Sequence, residues 1–142
     1  MDHLLLTELK TPNLIYETYK EWLSELDFIF DEETILEELI NSYFIELCNF
    51  ELYNKSKEII KQFDLNKLKL NHLKSEIYTQ QKYLATLIES NNLEGEKEFY
   101  TKHCVINEKK LLYLQSVKDL KSNAYDLIKE ILKRNKQKKI NE

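Results

Sequence analysis

Apolar residues recur along this chain in alternating steps of four and three. The first series reads Ile15, Tyr19, Trp22, Leu26, Ile29, Glu33, Leu36, Ile40, Tyr43, Leu47, Phe50, and ten of its eleven positions are apolar or aromatic. A repeat sustained over several heptads is the signature of a helix that buries one narrow stripe against other helices. Leu23, Phe30 and Phe44 widen the stripe on one side. A second series runs Ile59, Phe63, Asn66, Leu70, Leu73, Ile77, Gln80, Leu84, Leu87. A third runs Phe99, His103, Ile106, Lys110, Tyr113, Val117, Leu120, Ala124, Leu127, Ile131.

Boundary signals divide these series into three helices. Thr11-Pro12 has the form of a helix start, with Thr as cap and Pro at the first helical position, where its missing N–H costs nothing. Polar residues at Tyr53-Asn54-Lys55-Ser56 mark the first turn. Asn91-Asn92-Leu93-Glu94-Gly95, which holds the only Gly, marks the second. The expected helices are about 12–53, 55–91 and 95–137. Three long helices joined by short turns must run up, down, up. The predicted fold is therefore all-α: an elongated antiparallel three-helix bundle, a single domain over 1–142. A short N-terminal arm (1–11) and a frayed basic tail (133–142) are expected at its ends. The alternative is a four-helix bundle with the first helix broken near 31. There Asp31 is a possible cap and Thr34 with Glu37 has capping-box spacing. The heptad phase runs through that point unchanged, which favours one continuous helix.

Composition agrees. The 142 residues include one Gly and one Pro, against an average of about 7% and 5%. This shortage removes the glycine-rich phosphate loop and the G-x-S-x-G elbow. No Cys pair has zinc spacing and no H-E-x-x-H occurs. The reading is non-enzymatic, with no metal and no cofactor. His72 and Glu76 share a helix face and suit a surface hydrogen bond. Apolar runs stop at three or four residues, far short of the roughly 20 of a membrane span. The opening Met1-Asp2-His3 shows no secretory pattern. Cys48 and Cys104 read as free thiols of a reducing cytosol. Abundant Lys, Asn, Ile and Tyr with two alanines points to an AT-rich bacterial genome.

Net charge is −4, but it is unevenly placed. Residues 1–53 hold two lysines and 13 acids, and the remainder holds 19 basic residues and 12 acids. An acidic first helix packed against two basic ones accounts for this within one chain. The other account presents the acids to a basic partner. Phe28, Phe30, Glu37, Glu38 and Phe44 are the candidate interaction face, for a protein partner or a second copy. Glu33, Asn66, Gln80, His103 and Lys110 interrupt the seams and are candidate buried polar residues that set register. Glu33 is expected to meet a lysine of a neighbouring helix, Lys110 or Lys74. Nine tyrosines and six phenylalanines fall mostly on or beside seams, so core packing outweighs a nucleic-acid stacking surface. The lysines of 133–139 complement a helix C-terminus.

The segment Tyr19-Lys20-Glu21-Trp22-Leu23-Ser24-Glu25-Leu26-Asp27-Phe28, with Asp31-Glu32 after it, resembles a family of small uncharacterised bacterial proteins. So does the stretch from Lys61-Gln62-Phe63 to His72-Leu73-Lys74-Ser75-Glu76-Ile77. The resemblance spans about residues 19–90 and implies a long-helix coiled coil opening with a Glu-Trp-Leu element, without an activity. Three long helices with a Trp in the first also resemble a spectrin-type repeat in architecture. The leading functional expectation is an interaction or scaffold module. Its alternatives are an immunity- or antitoxin-like binder of a basic partner and a nucleic-acid-associated accessory protein.

Overall fold

The computed structural model describes residues 12–44, 49–90 and 93–141. Nearly all of them are helical, and none forms a strand. The helices are α1 (Pro12–Phe44), α2 (Phe50–Ser90) and α3 (Leu93–Asn141). α1 passes residue 31 without a break, so the four-helix alternative does not hold. Thr34 does not cap a new helix. Its hydroxyl donates 2.8 Å back to the Phe30 carbonyl, one turn earlier in the same helix.

The first turn lies earlier than the polar residues at 53–56 suggest. Asn49 is the N-cap of α2: its side-chain oxygen accepts a hydrogen bond from the Leu52 N–H at 3.1 Å. The Tyr53 N–H bonds to the Asn49 carbonyl, the first rung of the helix. Phe50, placed by the heptad count on the seam of the first helix, instead opens α2 and is exposed. Leu52 and Ser56 extend the buried seam of α2 backwards. Gly95 lies inside the first turn of α3 and is buried there, rather than in a turn before it. α3 continues through the basic tail to Asn141, past the expected end at 137. The N-terminal arm, Leu47 and Cys48 lie outside the described residues.

Packing divides the chain into two compact units. The first holds the described residues of Met1–Phe28 with Leu70–Tyr113, and the second Ile29–Lys69 with Leu114–Glu142. In the first unit α1 and α2 run antiparallel, since partner numbers fall on one as they rise on the other: Tyr19 meets Gln80 and Asp27 meets Lys74. In the second the two helices meet at Glu33 with Asn66 and Glu37 with Lys67. α1 and α3 run parallel: in the first unit Tyr19 meets Phe99 and His103 while Trp22 meets His103 and Lys110, and in the second Ile29 lines a groove with Leu114 and Val117 while Glu32 meets Lys121. The first unit has an aromatic core that includes Tyr19, Trp22, Phe99, Tyr100 and Tyr113. The second is aliphatic, built on Leu36, Ile40, Leu52, Leu120, Ala124, Leu127, Ile128 and Ile131 around Phe63. No helix among the described residues is long and apolar enough to cross a membrane.

The cap at Asn49 gives a direct test. Replacing it with Ala is expected to cost about 1 kcal/mol, read as a lower midpoint in urea unfolding with an unchanged slope.

Candidate functional site

Four of the five polar residues on the seams are buried: Glu33, Asn66, Gln80 and His103. They form two separate layers, one in each unit.

In the first unit, the Tyr19 hydroxyl lies 2.6 Å from His103 Nδ1. The Gln80 amide N–H₂ reaches the same hydroxyl oxygen at 3.3 Å and the Phe99 carbonyl at 3.2 Å. With Gln80 donating to its oxygen, Tyr19 donates its own proton to Nδ1, which leaves His103 neutral with its hydrogen on Nε2. The imidazole stacks on Trp22, with centroids 5.3 Å apart, and lies nearly parallel to Phe99. Burial first, and then the charge of Lys110, hold its pKa below the usual 6.5. Burial pushes Tyr19 up to about 12. Lys110 is half-buried, with its ammonium 4.3 Å from the centre of the Trp22 ring.

In the second unit, Glu33 is fully buried beside the aliphatic core. Its partner is Asn66, whose amide donates to Oε1 at 3.4 Å. Neither Lys110 nor Lys74 meets it: both belong to the first unit, and Lys74 pairs with Asp27. Asn66 is the seam residue of α2 at that level, so the two interruptions in the heptads satisfy each other. Oε2 has no hydrogen-bond partner among the described residues. Burial raises the carboxyl from 4.5 to about 7, against the opposing pull of Asn66 and of Lys67.

The described residues of the expected interaction face do not all share one side of α1. Residues 28 and 30 point about 160° apart on a helix. Phe28 and Phe30 are both exposed, and the ammonium of Lys67 lies 5.4 Å from the centre of the Phe30 ring. Glu37 is held at 2.6 Å by the same lysine and is half-buried. Glu38 is exposed, and the side chain of Phe44 lies outside the described residues. Asp27–Lys74 in the first unit and Glu37–Lys67 and Glu32–Lys121 in the second join acids of α1 to lysines of the other helices. Three of the nine acids of α1 are thereby paired with the other helices. Elsewhere, Glu76 takes His72 at 3.0 Å and Lys109 at 2.9 Å. Among the described residues no group of three or more His, Cys, Asp or Glu converges. Cys104 is a free thiol.

A groove of about 560 Å³ opens in the second unit between α1 and α3. Ile29, Leu114 and Val117 give it apolar walls, and Lys118, Ser122, Tyr125 and Lys129 of α3 border it. These residues carried no motif in the sequence. Their signal was the i, i+4, i+7, i+11 spacing of the four border positions on α3.

Comparisons with protein families, curated proteins and solved structures return no match.

Two outcomes test the buried layers. Unfolded, Glu33 ionises near 4.5, and folded near 7. Below the lower value it is neutral in both states and costs nothing. As pH rises between the two, the unfolded chain loses its proton first and stability falls; above about 7 the penalty is constant. Glu33→Gln keeps the Oε1 acceptor and removes the charge. Urea unfolding is expected to show the variant more stable than wild type at pH 8 by on the order of 2–3 kcal/mol, with the difference shrinking towards pH 5. His103 works in the opposite sense, losing stability as pH drops below its unfolded value of 6.5. Tyr19→Phe leaves Nδ1 without its donor and is expected to cost about 1–3 kcal/mol. The cost is expected to shrink in a His103→Phe background, as a double-mutant cycle would show.

Proposed function

We propose that this chain is a protein–protein interaction or scaffold module that works through the outer faces of its helices. One observation carries the reading: large apolar side chains recur on those faces at helical spacing. Single exposed apolar residues are ordinary on any protein. Here they come in pairs that share a side of one helix. Ile35 and Leu39 stand four apart on α1, Leu65 and Leu68 three apart on α2, and Val105 and Leu112 seven apart on α3. Ile35, Leu68 and Leu112 are 63%, 67% and 74% exposed. Patches of this kind on a folded surface mark contact with another macromolecule.

The internal ion pairs shift the emphasis of that contact. Glu37 is engaged with Lys67 and Glu32 with Lys121, so capture of a basic partner by the acids of α1 has fewer groups to work with. Apolar contact with charged borders is the mode the surface favours.

A photo-crosslinking amino acid placed singly at Ile35, Leu68 or Leu112 tests the reading in the native cell. A discrete higher-mass adduct from at least one site is the expected result. Adducts from none of the three would overturn it.

A further inference from the structure

The second unit carries two exposed stripes of opposite charge whose centres lie at the same level. On α1, Asp31, Ile35 and Glu38 are spaced i, i+4, i+7 and therefore share a side, and all three are exposed. On α3, Lys118, Ser122, Tyr125 and Lys129 share a side in the same way and border the groove. None of the two acids and two lysines has an ion pair among the described residues. Asp126, four residues after Ser122 and three before Lys129, also lines the groove and stands at the edge of the stripe.

The Glu32–Lys121 pair fixes the relative level of the two helices at 2.9 Å. It also marks the α3 side of α1, and Ile35 and Leu39, three and seven residues on from Glu32, lie toward that side. With residue 32 level with 121, positions 34 and 35 are level with 123 and 124. The point midway between Asp31 and Glu38 is then level with the point midway between Lys118 and Lys129. One helix acidic at both ends of its stripe therefore lies beside one basic at both ends of its stripe, about a common centre.

We propose that this face binds a second copy of the same chain, about a two-fold axis that lies in the interface and runs along the helices. The proposal deepens the interaction reading above and rests on it. Such a two-fold exchanges the two helices and keeps their direction, so the partner's α3 stripe lies parallel to α1 and its α1 stripe parallel to α3. Asp31 then faces Lys118 of the partner subunit, and Glu38 faces Lys129 of the partner subunit. Each acid and lysine are offset by about two residues, roughly 3 Å at 1.5 Å per residue, within the reach of a lysine stem. Symmetry makes every such contact twice. Ile35 and Tyr125, near the middle of the two stripes, supply the apolar centre, and the four charged pairs form the rim that selects orientation. Self-complementary borders of this kind fit a second copy, whereas a uniformly acidic or basic partner would meet repulsion along one of them.

The test is charge reversal and rescue, followed by light scattering and sedimentation. Wild type is expected at twice 17.2 kDa. Asp31→Lys with Glu38→Lys sets lysine against lysine and is expected to give monomers, as is Lys118→Glu with Lys129→Glu. Circular dichroism checks that both variants keep their helix content. Mixing the two variants restores opposite charges at all four places, and the dimer is expected to return. The chain carrying all four reversals is expected to dimerise as well. A wild type that stays monomeric at all concentrations would overturn the proposal, while cross-links to a different protein would leave the interaction reading standing. A dimer insensitive to both reversals would overturn this face as its interface.

Discussion

Each helix of this protein presents its apolar residues on one narrow seam, and the burial of those seams is the constraint on which the rest of the structure depends. Long helices in water draw most of their stability from packing rather than from propensity. A polar residue on a buried seam has lost its water and must find a partner in the core. Glu33 and Asn66 do so across α1 and α2. Tyr19, His103 and Gln80 do so across three helices. A slip of one heptad in either unit would leave a buried carboxylate or imidazole facing hydrocarbon, at a cost of several kcal/mol. These few bonds therefore select one register among the many that a repeating apolar pattern allows.

The two layers do this by different chemistry. In the first unit the polar atoms stay neutral and are matched donor to acceptor within aromatic rings. In the second a single carboxyl sits by aliphatic side chains with one of its oxygens lacking a hydrogen bond. Its pKa near 7 is the direct result: where solvation is absent and only an amide helps, the proton is retained. Charge at the seam edges has a separate role. Exposed ion pairs contribute little stability, about 0–1 kcal/mol each. The Asp27–Lys74, Glu32–Lys121 and Glu37–Lys67 pairs instead favour the neighbour that each stretch of α1 accepts.

With the apolar seams buried and three acids of α1 paired, what is left for function is the outside. The apolar pairs on the outer faces and the opposed stripes beside the groove are surplus to folding: removing them would leave every buried layer intact. That surplus is the physical ground for reading the chain as an interaction module, and the shared centre of the two stripes is what turns a general surface into a specific proposal.

Much of the fold was legible in the chain. Heptad phase alone placed three helices and nearly all buried positions, including Glu33, Asn66, Gln80 and His103 but not Ser56, because a period of 3.5 residues is a local property of sequence. It also kept α1 whole through Asp31. It did not locate the first turn, since Asn49 lies within a run that still carries apolar residues and only its cap bond reveals it. Nor did it find the partner of Glu33. Spacing tells which side of a helix a residue faces, but the level at which two helices meet depends on turn lengths and on the packing of all three together. Sequence by itself determined the helices, their buried sides and the acidic character of the first. Only the tertiary structure decided which residues share a level. That decision pairs Glu33 with Asn66 rather than a lysine, joins Glu32 to Lys121, and sets the acidic and basic stripes about one centre.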